Sequence, residues 1–135
     1  MFALASRTQS SEDYLETILI LRESLGNVRS IDIVNHTGYT KPSISVAMKK
    51  LRNNGYINMD KSGYITLTPE GELVASETYK KHCFLKSFFM SLGVSEKTAE
   101  EDACKIEHEI SRETIMCILK HQEDINKALK ENEGK

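Results

Sequence analysis

The sequence predicts a mainly α-helical chain with one short β-hairpin, and three observations carry that prediction. Apolar residues recur at helical spacing in long runs, the first being Tyr14, Leu15, Ile18, Leu19, Leu21 and Leu25. A short apolar segment from Ile31 closes on a turn at Thr37-Gly38, and a second helical run follows, opened by Pro42. Proline suits a first helical position because its missing N–H would be orphaned there anyway. Two short strands then flank the turn Lys61-Ser62-Gly63. Helix, turn, helix and hairpin in this order form a winged helix-turn-helix, whose second helix enters the major groove of DNA.

In chain order, residues 1–9 are expected to be loosely ordered. Ser10 or Ser11 then caps the first helix, with Glu12 and Asp13 in its first turn at the positive end of the helix dipole. Gly26-Asn27 stops that helix, which packs behind the helix-turn-helix pair as its third support. On the second helix of the pair, Ile44, Ala47, Met48 and Leu51 face a core. Ser43, Ser45, Lys49, Lys50 and Arg52 fall on other faces, and Asn54-Gly55 ends the helix. Thr68-Pro69-Glu70-Gly71 restarts the chain as a helix: Thr caps, Pro takes the first position and Glu sits in the first turn. Helical spacing runs on through Leu73, Val74, Tyr79, Phe84, Leu85, Phe88, Phe89 and Leu92 to a stop at Gly93.

Ser95 caps the next helix, expected from about Glu96 to Glu109, and Ser111 caps the last, from Arg112 to about Leu129. The stripe of the last is Ile115, Met116, Ile118, Leu119, Ile125 and Leu129, and Glu131–Lys135 is expected to fray. The organisation is therefore a DNA reader over residues 1–70 and a helical domain for dimerisation and metal binding over 71–135. The helices after Gly93 carry more apolar stripe than they can bury alone. A second copy of the same surface covers such a stripe, and a two-fold homodimer matches a palindromic DNA site.

Charge divides the same way. The net charge of −2 hides an N-terminal part, residues 1–68, with eight Lys/Arg against six Asp/Glu, and a remainder with ten against fourteen. No acidic residue stands between Asp32 and Asp60, while Lys41, Lys49, Lys50 and Arg52 all lie there and Lys61 tips the hairpin. With Ser30, Thr40, Pro42, Ser43 and Ser45, these residues form the candidate surface for double-stranded DNA. The cations suit phosphates and the small hydroxyls suit base edges. The plainer reading is a solvated basic face on a helical hairpin. No apolar run approaches a membrane span, and Met1–Arg7 is too short for a secretory signal. Three widely spaced cysteines, Cys83, Cys104 and Cys117, give no disulfide framework, so a reducing cytoplasm is the expected setting.

A second constellation lies in the acidic half. Cys104-Lys-Ile-Glu107-His108 places three potential ligands at i, i+3 and i+4, one face of a helix. Asp13 and Glu16 are i, i+3 on the first helix, and His82 stands on the long linking helix. Thiolate, imidazole and carboxylate are donors that first-row divalent metals take. Each part also has a plainer reading: acidic pairs on helices are usually solvated, and a lone histidine is usually a surface or satisfied one. Cys83 and Cys117 read as packing residues.

These residues carry a resemblance to the DtxR/MntR family of metal-dependent transcriptional repressors, over Ser11 to Leu129. It rests on Asp13-Tyr-Leu-Glu16, on Lys41-Pro42-Ser43-Ile44-Ser45, and on Leu67-Thr68-Pro69-Glu70-Gly71. It continues with Lys81-His82 and with Ile106-Glu107-His108 before Ser111. The resemblance implies a homodimer that binds an operator when loaded with Fe(II) or Mn(II) and shuts off metal-uptake genes. It implies metal ligands at Asp13, Glu16, His82, Cys104, Glu107 and His108.

The chain is a hybrid within that family. The manganese-responsive branch has Glu where Cys104 stands, and the iron-responsive branch has Met where Asp13 stands. A thiolate is a soft ligand, which turns the expectation from strict Mn(II) selectivity towards Fe(II) or Zn(II). The ancillary site of the iron branch uses a Glu one turn after its His, a place held here by Lys86. The SH3-like domain of larger members is not expected.

Three other readings compete: a winged-helix regulator that senses something other than metal, a helical metalloenzyme built on the carboxylate–His cluster, and a purely structural interaction module. No nucleophile or substrate-pocket motif supports the enzyme. No catalytic residue, membrane or small organic substrate is expected.

Overall fold

The first apolar stripe folds as expected. In the computed structural model, which describes residues 9–133, α1 spans Gln9–Leu25 and buries Leu15, Ile18, Leu19 and Leu21. Leu25 is exposed at its last turn. The helix starts ahead of the Ser10 and Ser11 caps that its sequence suggested, and Ser11 is itself buried. The loosely ordered segment expected before it lies, up to residue 8, outside the described residues.

The chain continues as β1(Val28–Arg29), α2(Ser30–Thr37), α3(Lys41–Asn53), β2(Ile57–Met59) and β3(Tyr64–Leu67). The turn between α2 and α3 is made by Gly38, whose φ of 79° is a left-handed conformation and whose N–H closes on the Val34 carbonyl at 2.8 Å. Thr40 caps α3 by accepting the Ser43 N–H, and Pro42 is the second helical residue because α3 begins one residue earlier than expected. Ile44, Met48 and Leu51 point into the core with Leu15, Ile18, Ile33, Ile57, Ile65 and Val74, and Ala47 packs against it. Truncating a fully buried leucine such as Leu51 to alanine costs about 2–5 kcal/mol.

The sheet is antiparallel with the order β1-β3-β2. β3 is central, pairing Val28 with Ile65 on one side and Met59 with Ile65 on the other. β2 and β3 are the expected hairpin; β1 was not expected, since two residues carry no alternation that a sequence can show.

α4(Pro69–Ser91) starts as its sequence predicts, with Thr68 Oγ1 accepting the Gly71 N–H at 3.1 Å. Its apolar residues do not all face inward. Val74 and Leu85 are buried, whereas Leu73 and Tyr79 are exposed because they fall on other sides of the helix, and Leu92 is exposed in the turn after it. α5(Glu96–Ile106) and α6(Arg112–Glu133) follow. Ser95 and Ser111 cap them by accepting the N–H of Thr98 and Thr114. α5 stops at Ile106 rather than Glu109, and α6 runs on to Glu133 where fraying was expected from Glu131; Gly134 and Lys135 lie outside the described residues.

The chain divides into two compact units after Phe84. The first contains the sheet and the core just described. In the second, Leu85, Ala99, Ala103 and Ile115 are buried, while Met116, Ile125 and Leu129 leave the expected apolar stripe of α6 exposed. Among the described residues, no helix is long and apolar enough to cross a membrane.

Candidate functional site

The first unit carries the candidate nucleic-acid surface. Lys41, Pro42, Ser43 and Ser45 occupy the exposed start of α3, Lys49, Lys50 and Arg52 its exposed second half, and Lys61 the exposed tip of the hairpin. Ser30 opens α2 and is half-buried. Thr40 is exposed, yet its hydroxyl serves the helix: it accepts from the Ser43 N–H and donates to Ser43 Oγ at 2.9 Å.

The two carboxylates that bound this basic stretch are both turned onto backbone. Asp32 accepts the Arg29 N–H at 2.9 Å, fixing the start of α2. Asp60 accepts the N–H groups of Ser62 and Tyr64, each at 2.9 Å, and so folds the wing tip. Their charge is used locally, which leaves the cations of α3 as the exposed charge of that face.

One cation escaped the sequence reading. Arg29 lies in β1 opposite Tyr64. Its guanidinium lies 5.1 Å from the centre of the Tyr64 ring and donates to the Ser62 carbonyl of the wing. Only the unexpected strand pairing places it there.

At the other end of the reader, Tyr14 on α1 meets Tyr39 in the α2–α3 turn edge-on, ring centres 6.2 Å apart. Burial, then the neighbouring Tyr39 and Asp13, push the Tyr14 hydroxyl above its ordinary range.

The candidate metal ligands fall in both units. In the first, Asp13 and Glu16 sit one turn apart on α1, with Glu16 buried, and His82 lies buried on α4. In the second, Cys104 is in the last turn of α5 and exposed. Glu107 is the C-cap residue and His108 lies in the turn that follows, so the three do not share one face of a helix body as the spacing suggested. The turn still gathers them. Glu107 Oε1 is 3.3 Å from His108 Nε2, and Cys104 Sγ and a Glu107 oxygen lie within 4.8 Å of one another. The side chains of Glu107 and His108 are 0% and 2% exposed. Among the described residues, no three of these donors within one unit bring their ligand atoms within 4.8 Å of each other.

The chemistry of this set fits a divalent cation. A carboxylate removed from water carries a large desolvation penalty that positive charge offsets. Imidazole and thiolate beside it supply the softer donors that transition metals prefer. Cys83 and Cys117, expected to pack, are exposed instead. Lys86 on α4 reaches Glu100 at 3.2 Å and Glu96 at 3.4 Å on α5, and Glu100 first, then Glu96, holds its ammonium above the ordinary lysine range.

Comparison with known proteins places both halves. Residues 7–65 match the family described as iron dependent repressor, N-terminal DNA binding domain. Residues 68–131 match its metal binding and dimerisation domain. The chain belongs to the iron-dependent repressor family. The transcriptional regulator MntR of Salmonella typhimurium is 35% identical over 115 residues, covering 85% of this chain and 73% of its own. An HTH-type transcriptional regulator of Methanocaldococcus jannaschii is 36% identical over 110 residues, covering 80% and 88%. Among solved structures, the manganese regulator SloR matches with a TM-score of 0.74 at 28% identity, over 84% of this chain and 53% of that one. The chain thus spans about half the length of SloR. Iron-dependent repressors are metal-responsive transcriptional repressors that bind DNA, not enzymes, and the metalloenzyme reading falls with that assignment.

Proposed function

We propose that this chain works as a homodimer in the cytoplasm, binding a palindromic operator of metal-uptake genes when loaded with Fe(II) or Mn(II). The carrying observation is the Glu107–His108 pair: a fully buried carboxyl group 3.3 Å from an imidazole nitrogen, with the Cys104 sulfur within 4.8 Å of a Glu107 oxygen. The proposed ligands are Asp13, Glu16, His82, Cys104, Glu107 and His108. Relatives support the choice of metal: SloR is a manganese regulator, and ScaR, 26% identical with a TM-score of 0.71, has been solved with bound Zn(II). Zn(II) is the third candidate here, because the Cys104 thiolate is softer than a carboxylate.

When bound, the ion supplies positive charge and fixed coordination geometry. The chain supplies the linkage. Asp13 and Glu16 belong to the reader of residues 1–70 and Cys104, Glu107 and His108 to the helical part of 71–135. Occupancy therefore favours the arrangement in which all of them meet, and shifts the population towards it. On the DNA side, Ser30, Thr40, Lys41, Pro42, Ser43, Ser45, Lys49, Lys50, Arg52 and Lys61 make the surface, the cations on phosphates and the hydroxyls on base edges.

The test is a metal-by-metal DNA-binding titration under anaerobic conditions. Affinity rises about tenfold or more with Fe(II) or Mn(II), and Glu107→Ala removes the gain. Equal affinity with and without metal refutes the reading, and calorimetry without micromolar divalent binding points to a regulator that senses something else.

A further inference from the structure

α5 is gripped by little apolar surface. Its buried residues are Ala99 and Ala103, each with a single methyl group. A helix face of alanines lets helices approach closely but resists sliding and rotation weakly, since no large side chain locks into a groove. A directional contact comes from Lys86 of α4, whose ammonium meets Glu100 at 3.2 Å and Glu96 at 3.4 Å. Glu96 and Glu100 are i, i+4 on α5, and the next position along that ridge is Cys104.

We propose that Lys86 is a positioning residue for Cys104: by bonding the first two members of the Glu96–Glu100–Cys104 ridge it sets the rotation and height of α5, and with them the place at which the thiolate meets a metal ion. This rests on reading Cys104 as a ligand. The tolerance is narrow. A metal–sulfur bond is about 2.3 Å long, so a slip by one residue, about 1.5 Å along the helix axis with a rotation of about 100°, takes the sulfur out of range.

The test uses Co(II) as probe on the full chain with Cys83→Ser and Cys117→Ser, so that only Cys104 can give a thiolate-to-cobalt charge-transfer band. Lys86→Met lowers that band several-fold at saturating Co(II), Lys86→Arg restores it, and far-ultraviolet circular dichroism shows helix content unchanged. A band of full intensity in Lys86→Met overturns the positioning role and leaves the ligand reading standing. No band in the parent protein overturns the ligand reading and the positioning role with it. Where Lys86→Met loses helix content, Glu100→Gln is read in its place; it keeps the side-chain shape, and an undiminished band there also overturns the proposal.

Discussion

Arg22 and Glu72 tie α1 to α4 by a two-pronged ion pair, each guanidinium nitrogen 2.7 Å from its own carboxylate oxygen. The hydrogen bonds from Arg22 hold the Glu72 carboxyl below its ordinary value of 4.5. The folded value is depressed, so the pair's contribution is fully present above the ordinary glutamate range and is lost as pH falls through the lower folded value. The side chains are 38% and 43% exposed, and solvent screening keeps the contribution to about 1 kcal/mol or less. Urea unfolding of Glu72→Gln should therefore show a small deficit that is constant from neutral pH to about 5 and vanishes in acid. A deficit that survives in acid would mean that shape, not charge, matters there.

Gly71 has no room for a side chain. A Cβ built on it would stand 2.0 Å from the backbone carbonyl oxygen of Tyr56. That oxygen already accepts the Thr68 N–H, so neither side can yield cheaply. Gly71→Ala is expected to cost about 2–4 kcal/mol, read as a lower denaturant midpoint with the slope unchanged.

The basic face gives a salt-dependence prediction. Each cation that neutralises a phosphate adds close to one unit to the slope of log affinity against log salt. Lys49→Ala and Lys50→Ala should each flatten that slope by about one. Arg29→Ala should do the same and also loosen the wing, since its guanidinium donates to Ser62. An unchanged slope removes the substituted residue from the DNA surface.

Cys104→Glu replaces the soft donor by a hard one. Metal competition should then move the preference from Fe(II) and Zn(II) towards Mn(II). The DNA affinity of the loaded protein should stay within about threefold of the parent, since Cys104 lies outside the reader. An unchanged metal ranking argues that Cys104 does not touch the ion.

Much of this was legible before folding because the punctuation is local. Gly38, Pro42, Gly55 and Gly63 mark the ends of the helix pair and of the hairpin, and each marks its place through its own backbone. β1 was not legible, because Val28 and Arg29 become a strand only by pairing with β3, and with it went the placement of Arg29. The end of α5 was missed for a related reason: Glu107 and His108 leave the helix without a glycine or proline to announce it. Their candidacy as metal ligands was readable from residue type. That a turn rather than a helical face brings them to 3.3 Å was not. On α4 the periodicity named apolar residues correctly but could not say which sides would be covered, so it did not separate the buried Val74 and Leu85 from the exposed Leu73 and Tyr79.

Arg29 is fastened in three ways: its backbone N–H to Asp32, its strand position to Tyr64, and its guanidinium to the Ser62 carbonyl. Arg29 therefore joins the hairpin to the start of α2. A displacement of the wing is thereby handed on to the first helix of the pair, and a disturbance at either one registers at the other.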